Sequence, residues 1–217
     1  ALALATFERS VATSRPMVVS VAGPPGIGKT RLGQEIISRL ERREPPVRVM
    51  WVRCESYGQS QSLGAASDAL RSLLKLPKGC DFADSMNALR KVSGDANLSD
   101  EQLLLARLLA NVPFPKHVDP RAARDALYVA MTALVLATLS NEPCALVIED
   151  AQWADPESIA WVDHLLGRAD KRALLALLFV RPTFWRAHPD RFASREHVRI
   201  QLRPMAKPAV RAIARKM

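Results

Sequence analysis

The stretch GPPGIGKTRL, residues 23–32, decides the reading of this chain, because it places three of only nine glycines within six positions. Gly23, Gly26, Gly28, Lys29 and Thr30 satisfy the spacing G-x-x-x-x-G-K-[ST], a loop that cradles phosphate. Backbone amides converge on an anion only where the chain coils tightly and no side chain intervenes, and glycine permits both. The preceding run Met17–Ala22 (MVVSVA) is short, apolar and β-branched, as a strand buried on both faces is. Beyond the loop, Leu32, Ile36, Ile37 and Leu40 recur at helical spacing. A loop between strand and helix also presents the unpaired amides of a helix N-terminus to the anion. Lys29 brings a full charge to the β- and γ-phosphates, and the Thr30 hydroxyl is placed to ligate Mg²⁺. Pro24 and Pro25 stiffen the loop, and Ile27 and Arg31 complete the segment expected to hold the nucleotide.

A phosphate loop implies a nucleotide and nothing more. Hydrolysis also needs a carboxylate near the metal and a group that positions water, at the end of a neighbouring strand. LVIEDAQWADPES meets that need: an apolar run carries Glu149 and Asp150 to the carboxyl edge of a sheet, where open α/β folds bind ligands. Arg181, directly after the apolar run 172–180, emerges at the same edge within reach of a γ-phosphate, or is a surface arginine before Pro182. Gln152 either touches the attacking water or faces solvent. Asp155, ahead of Pro156, suits a helix N-cap, and Trp153 and Trp161 read as packing residues.

Composition limits the alternatives. With 217 residues, 48% of them hydrophobic, the chain can bury a sizeable core. Cys54, Cys80 and Cys144 are too scattered for a zinc site or disulfide framework, which favours a reducing, cytoplasmic setting. The histidines His117, His164, His188 and His197 show no ligand spacing. No signal-peptide pattern opens the chain, and ALALATFERS reads as a helix cut from a longer protein. The apolar run 126–139 falls short of the roughly 18–20 residues a membrane span needs, so no membrane partner is expected. A net charge of +9 admits nucleic acid, but the arginines are dispersed, with local density at Arg39, Arg42 and Arg43 and beyond Arg181. No aromatic interleaving accompanies them, so nucleic acid is not expected as a partner of this segment.

Further strands are expected over residues 47–52, 144–148, 172–180 and 197–202, and strands separated by helices imply a parallel sheet. The long stretch between the second and third strands reads as helical. Leu63, Ala66, Leu70 and Leu73 share a face, Ser99 and Gln102 form a capping box ahead of LLLARLLA, and a further helix covers about 121–139 after the proline-rich 111–120.

Taken in order, GPPGIGKTRL, WVRCESYGQS, LVIEDAQWADPES and LLFVRPTF resemble the AAA-type ATPase module of the STAND class of signal-transduction NTPases. Such modules sit in large bacterial regulators, behind class III adenylate/guanylate cyclase domains or ahead of helical repeats and a helix-turn-helix. The resemblance implies an α/β P-loop NTPase three-layer sandwich with a five-stranded parallel sheet. It further implies one domain over residues 1–217, with core segments 1–55 and 140–217 and a helical insertion at about 56–140. It carries over residue by residue: residues 23–30 match the Walker A loop, Glu149 and Asp150 the acidic pair of Walker B, and Arg181 the arginine that senses the γ-phosphate. Because this chain has Glu-Asp where many relatives have Asp-Asp or Asp-Glu, the division of labour between metal and water stays open. ATP and Mg²⁺ are the implied cofactors; ATP or ADP, neighbouring domains of the parent chain and nucleotide-dependent self-association are the implied partners. The glycine-arginine-glutamate segment and the helical lid of that family fall before residue 1 and after Met217, so weaker nucleotide binding than in a longer chain is expected. Three functions remain open: a slowly hydrolysing ATP switch, a non-catalytic nucleotide-binding scaffold, and a nucleic-acid-stimulated ATPase.

Overall fold

A computed structural model describes residues 2–56, 62–139 and 142–204. Residues 57–60 of WVRCESYGQS, the insertion boundary at 140, and the basic residues beyond 204 lie outside the described residues. The elements run α1 (Leu2–Thr13), β1 (Met17–Ala22), α2 (Lys29–Glu41), β2 (Arg48–Arg53), α3 (Gly64–Leu74), α4 (Phe82–Ser93), α5 (Asp100–Leu109) and α6 (Pro120–Leu139). They continue with β3 (Cys144–Glu149), a 3₁₀ turn (Ala151–Trp153), α7 (Pro156–Arg168), β4 (Leu174–Val180), α8 (Phe184–Ala187) and β5 (His197–Gln201).

The five strands form one sheet in the order β2-β3-β4-β1-β5, every pairing parallel. β1, β3 and β4 are apolar almost throughout because they are central and covered on both sides. Their alternation still sorts side chains into two layers. Met17, Val19, Val21, Val147, Leu177 and Phe179 pack against Phe7 of α1 and Ile36 and Leu40 of α2. Val18, Leu146, Ile148, Ala176, Leu178 and Val180 face the opposite layer, built from α3, α5, α6 and α7. The insertion thus extends the second core rather than folding apart from it.

Within the insertion, α5 starts at the expected capping box: Ser99 Oγ accepts from the Gln102 N–H while Gln102 Oε1 accepts from the Ser99 N–H. Helix α6 begins at Pro120 and is 20 residues long, so the expectation of a segment too short for a bilayer is corrected. The polar first turn lies outside the apolar run, yet it belongs to the same helix. Leu127, Met131, Val135 and Leu139 of α6 are buried inside the domain, as a core helix requires. The fourth strand starts at Leu174 rather than 172, and Arg172 instead closes a turn onto Ala169.

Candidate functional site

Three adjacent strands, β3, β4 and β1, end on one side of the sheet, and their trailing segments converge there. The loop after β1, the turn after β3 and the residue after β4 enclose a cleft of about 320 Å³ lined by Pro25, Gly26, Gly28, Lys29, Thr30, Asp150 and Arg181. It lies beside β1, where the chain crosses from one half of the sheet to the other, the position at which open α/β sheets bind ligands.

The loop geometry is set by its glycines. Gly26 and Gly28 have φ of +76° and +97°, and a Cβ on either would meet nothing within 4 Å, so backbone strain rather than crowding demands glycine there. Gly28 is also the N-cap of α2 and contributes no side chain to it. The α4, α5 and α7 N-termini are capped by Asp81, Ser99 and Asp155, whereas the first turn of α2 has no side-chain acceptor. Its amides and the positive end of its dipole are open to an anion. Gly23 serves otherwise: buried at the loop's start, a Cβ there would lie 2.8 Å from Ile27 Cγ2 and 3.3 Å from Leu202 Cβ.

Lys29 is only 8% exposed, and its ammonium donates to the Gly23 and Pro24 carbonyls at 2.9 and 3.1 Å. Burial pulls its pKa below the usual lysine value; the Asp150 carboxylate opposes that and the Arg181 guanidinium reinforces it. The cleft is therefore cationic at its base, with one acid on its wall. Arg181 lays its guanidinium 5.3 Å from the Trp153 ring centroid, and its buried Nε has no hydrogen-bond partner among the described residues.

The two acids separate. Asp150 lines the cleft from a left-handed turn, φ 52° and ψ 41°. Glu149, the last residue of β3, is 2% exposed and faces α2, its Oε1 lying 3.0 Å from where a Cβ on Gly33 would stand. Both its oxygens are buried without a well-formed hydrogen bond among the described residues. Burial pushes this carboxyl above its usual range, and the Trp51 indole and Arg53 guanidinium act in the other direction. Glu149, Gly23, Pro24, Ile27 and Arg31 thus do not line the cleft, although the sequence marks all five as candidates; Pro24 and Arg31 face solvent.

Gln152, half-buried, bridges the two strand ends. Its Nε2 donates to Asp150 Oδ1 at 3.0 Å, and its Oε1 accepts from the Arg181 backbone N–H, also at 3.0 Å. Trp153 is partly buried beneath Arg181, whereas Trp161 is fully buried and donates to Thr132 Oγ1 at 3.2 Å. Asp155 caps α7 as expected and holds the start of α3 as well. Gly33 escapes a reading of the sequence, because a single glycine inside a helical pattern carries no label for the close approach it serves. Cys54 is a buried thiol pushed by its surroundings to about 12.

The residues present suit a nucleotide with its metal. An uncapped helix start, a buried ammonium held by the Gly23 and Pro24 carbonyls, and the Asp150 carboxylate on the cleft wall are what a polyphosphate and a cation would complete. Among the described residues no cluster of three metal-ligating side chains exists. A magnesium ion bound with a nucleotide is ordinarily shared between one or two protein groups and phosphate oxygens. A larger concavity, about 750 Å³ between α4, α5 and α6, is lined mainly by apolar side chains such as Leu89, Leu105 and Ala130 and offers no cation for a phosphate.

No curated protein matches the chain. Among solved structures, the Aeropyrum pernix ORC2 protein in ADPNP and ADP complexes is 14% identical, with TM-score 0.45 over 99% of this chain and 49% of that one. Drosophila ORC bound to AT-rich DNA and Cdc6 is 12% identical, with TM-score 0.42 over 100% of this chain and 63% of that one. The chain spans less than two thirds of either. A model of the AAA ATPase domain matches residues 1–180. Because that match runs through the last residue of β4, it takes in the glycine loop, both acids and the strand that delivers Arg181 to the cleft, and the chain belongs to the AAA ATPase domain family of ATP-binding P-loop NTPases.

Proposed function

We propose that this chain is an ATP-hydrolysing switch module of a multidomain bacterial regulator of the STAND type, acting in the cytoplasm. The observation that carries the reading is the meeting of Lys29, Asp150 and Arg181 in one cleft at an uncapped helix start. In this reading the amides around Gly26 and Gly28 and the Lys29 ammonium hold the β- and γ-phosphates. Asp150 orients and polarises water, and Arg181 reads the γ-phosphate. Thr30 and Asp150, which line the cleft, are the residues that would hold a magnesium ion brought by the nucleotide, and that ion would neutralise charge on the phosphate oxygens; Glu149, behind the cleft, stands outside their reach. Arg181 meets a γ-phosphate in ATP and none in ADP, and a contact made in one conformation of the module and not in the other is the differential affinity any switch requires. The quoted Walker A and B segments support the STAND assignment, in which neighbouring domains and self-association read the nucleotide state.

Phosphate release from MgATP by the purified chain tests this reading, with Lys29→Ala as the control that removes nucleotide. Release that depends on Lys29 is expected; a folded chain that binds MgATP yet releases no phosphate would leave a nucleotide-binding scaffold. That second reading draws support from Glu149, which lies behind the cleft and leaves Asp150 as the acid on its wall. Because the net charge is +9, the assay includes duplex DNA at two salt concentrations. Salt-sensitive stimulation would favour a nucleic-acid-dependent ATPase.

A further inference from the structure

The hydrogen-bonded ladder between β3 and β4 ends at Ile148 and Leu178, short of the residues that form the cleft. Beyond that point the two strand ends are tied by a side chain. Gln152 presents both halves of its amide: Nε2 donates to Asp150 Oδ1, and Oε1 accepts from the Arg181 backbone N–H, each at 3.0 Å. The turn that carries it is closed by its own backbone, Trp153 N–H to Asp150 O at 2.8 Å and Ala154 N–H to Ala151 O at 3.1 Å. Asp150 occupies a left-handed conformation at the start of this turn, φ 52°, one that aspartate adopts more readily than most residues. Arg181, held at its backbone by Gln152, rests its guanidinium over Trp153 of the same turn.

The geometry points to Gln152 as a positioning residue for the hydrolytic reaction: one side-chain amide holds the Asp150 carboxylate and the β4 terminus bearing Arg181 at a fixed spacing across the cleft. The inference rests on the reading of the chain as an ATPase. An amide is the group that suits the task, since it donates to an anion at one end and accepts from a backbone N–H at the other. Glutamate retains only the acceptor and sets a second negative charge against Asp150. Methionine retains length and volume but neither bond. Because the clasp acts on the spacing of acid and arginine and not on the phosphate cradle, its loss falls on kcat and spares nucleotide affinity.

The test uses the whole chain and the variants Gln152→Met and Gln152→Glu, comparing ATP affinity by calorimetry, kcat by phosphate release, and hydrogen exchange at the Arg181 amide by NMR. Both variants are expected to bind ATP within about twofold of the parent and to lose about tenfold or more in kcat. Exchange at Arg181 should rise about tenfold in Gln152→Met and stay near the parental rate in Gln152→Glu. A glutamine that only fills space would give parental kcat and exchange in Gln152→Met, and that result overturns the inference. Full recovery of kcat in Gln152→Glu overturns the two-ended clasp, because the Asp150 bond would then be dispensable. If the parent releases no phosphate, the ATPase reading fails instead; exchange then decides the clasp alone, upheld by a rise in Gln152→Met and overturned by a parental rate.

Discussion

Asp155 Oδ1 accepts a hydrogen bond from the Leu63 backbone N–H at 2.9 Å, although the two residues stand 92 positions apart. Leu63 is the N-cap of α3 and has no capping side chain of its own. The same carboxylate receives the Ala65 N–H, and it caps α7 through the Ser158 N–H at 2.9 Å and the Ser158 hydroxyl at 2.6 Å. Asp155 is 2% exposed, so the amides it serves have no water to fall back on. Asp155→Ala should lower stability by about 2–4 kcal/mol, more than an ordinary lost cap. A urea midpoint unchanged from the parent would show that the double cap contributes nothing.

Gly33 sits in the middle of α2, where alanine would improve helix propensity by about 1 kcal/mol. Here the added Cβ would lie 3.0 Å from Glu149 Oε1 and 3.2 Å from the Phe179 ring. Phe179 is 1% exposed and has nowhere to go. Crowding outweighs propensity, and Gly33→Ala is expected to destabilise by about 1–3 kcal/mol in thermal melts. A raised melting temperature would mean that Glu149 moves aside freely.

Asp150 and Glu149 are neighbours in sequence with different surroundings, and Asp150 is the acid that lines the cleft. Asp150→Asn should retain ATP affinity and lose about 100-fold or more in kcat, the usual reach of a positioned general base. Steady-state phosphate release beside a binding isotherm checks both halves. Near-parental turnover in Asp150→Asn would reassign the water-polarising role to Glu149.

His197 bridges the last strand pairing of the sheet, its Nε2 standing 3.0 Å from Ser20 Oγ. Burial, with Arg199 adding to it, depresses this imidazole to about 4 from its ordinary 6.5. Between those values the unfolded chain takes up a proton that the folded chain refuses, so stability falls as pH drops from about 6.5 toward about 4. His164 and His188 are depressed by burial too and act in the same direction. His197→Gln should flatten part of that slope in urea titrations across the window. An identical slope in parent and variant would remove His197 from the acid response.

The parallel sheet and the phosphate loop are legible in the sequence because their signals are local. MVVSVA is apolar at almost every position, and the glycine spacing of the loop is itself its geometry. The hidden features depend on partners far along the chain. Gln152 reads as a polar residue in a turn until β4 brings the Arg181 amide beside it. Asp155 announces α7 through Pro156, but its bonds to α3 arise from packing that no local pattern encodes. Glu149 and Asp150 look interchangeable in sequence, and only the end of β3, where the chain turns left-handed at Asp150, sends them to different surroundings.

Calorimetric titration of the folded chain with MgATP, with Lys29→Ala titrated beside it, tests the phosphate cradle most directly. Saturable heat is predicted for the parent, with affinity lower by about 10- to 100-fold or lost once the buried ammonium is removed. Superimposable isotherms from the two chains, or no saturable heat from a parent shown to be folded by its melting transition, would contradict the account.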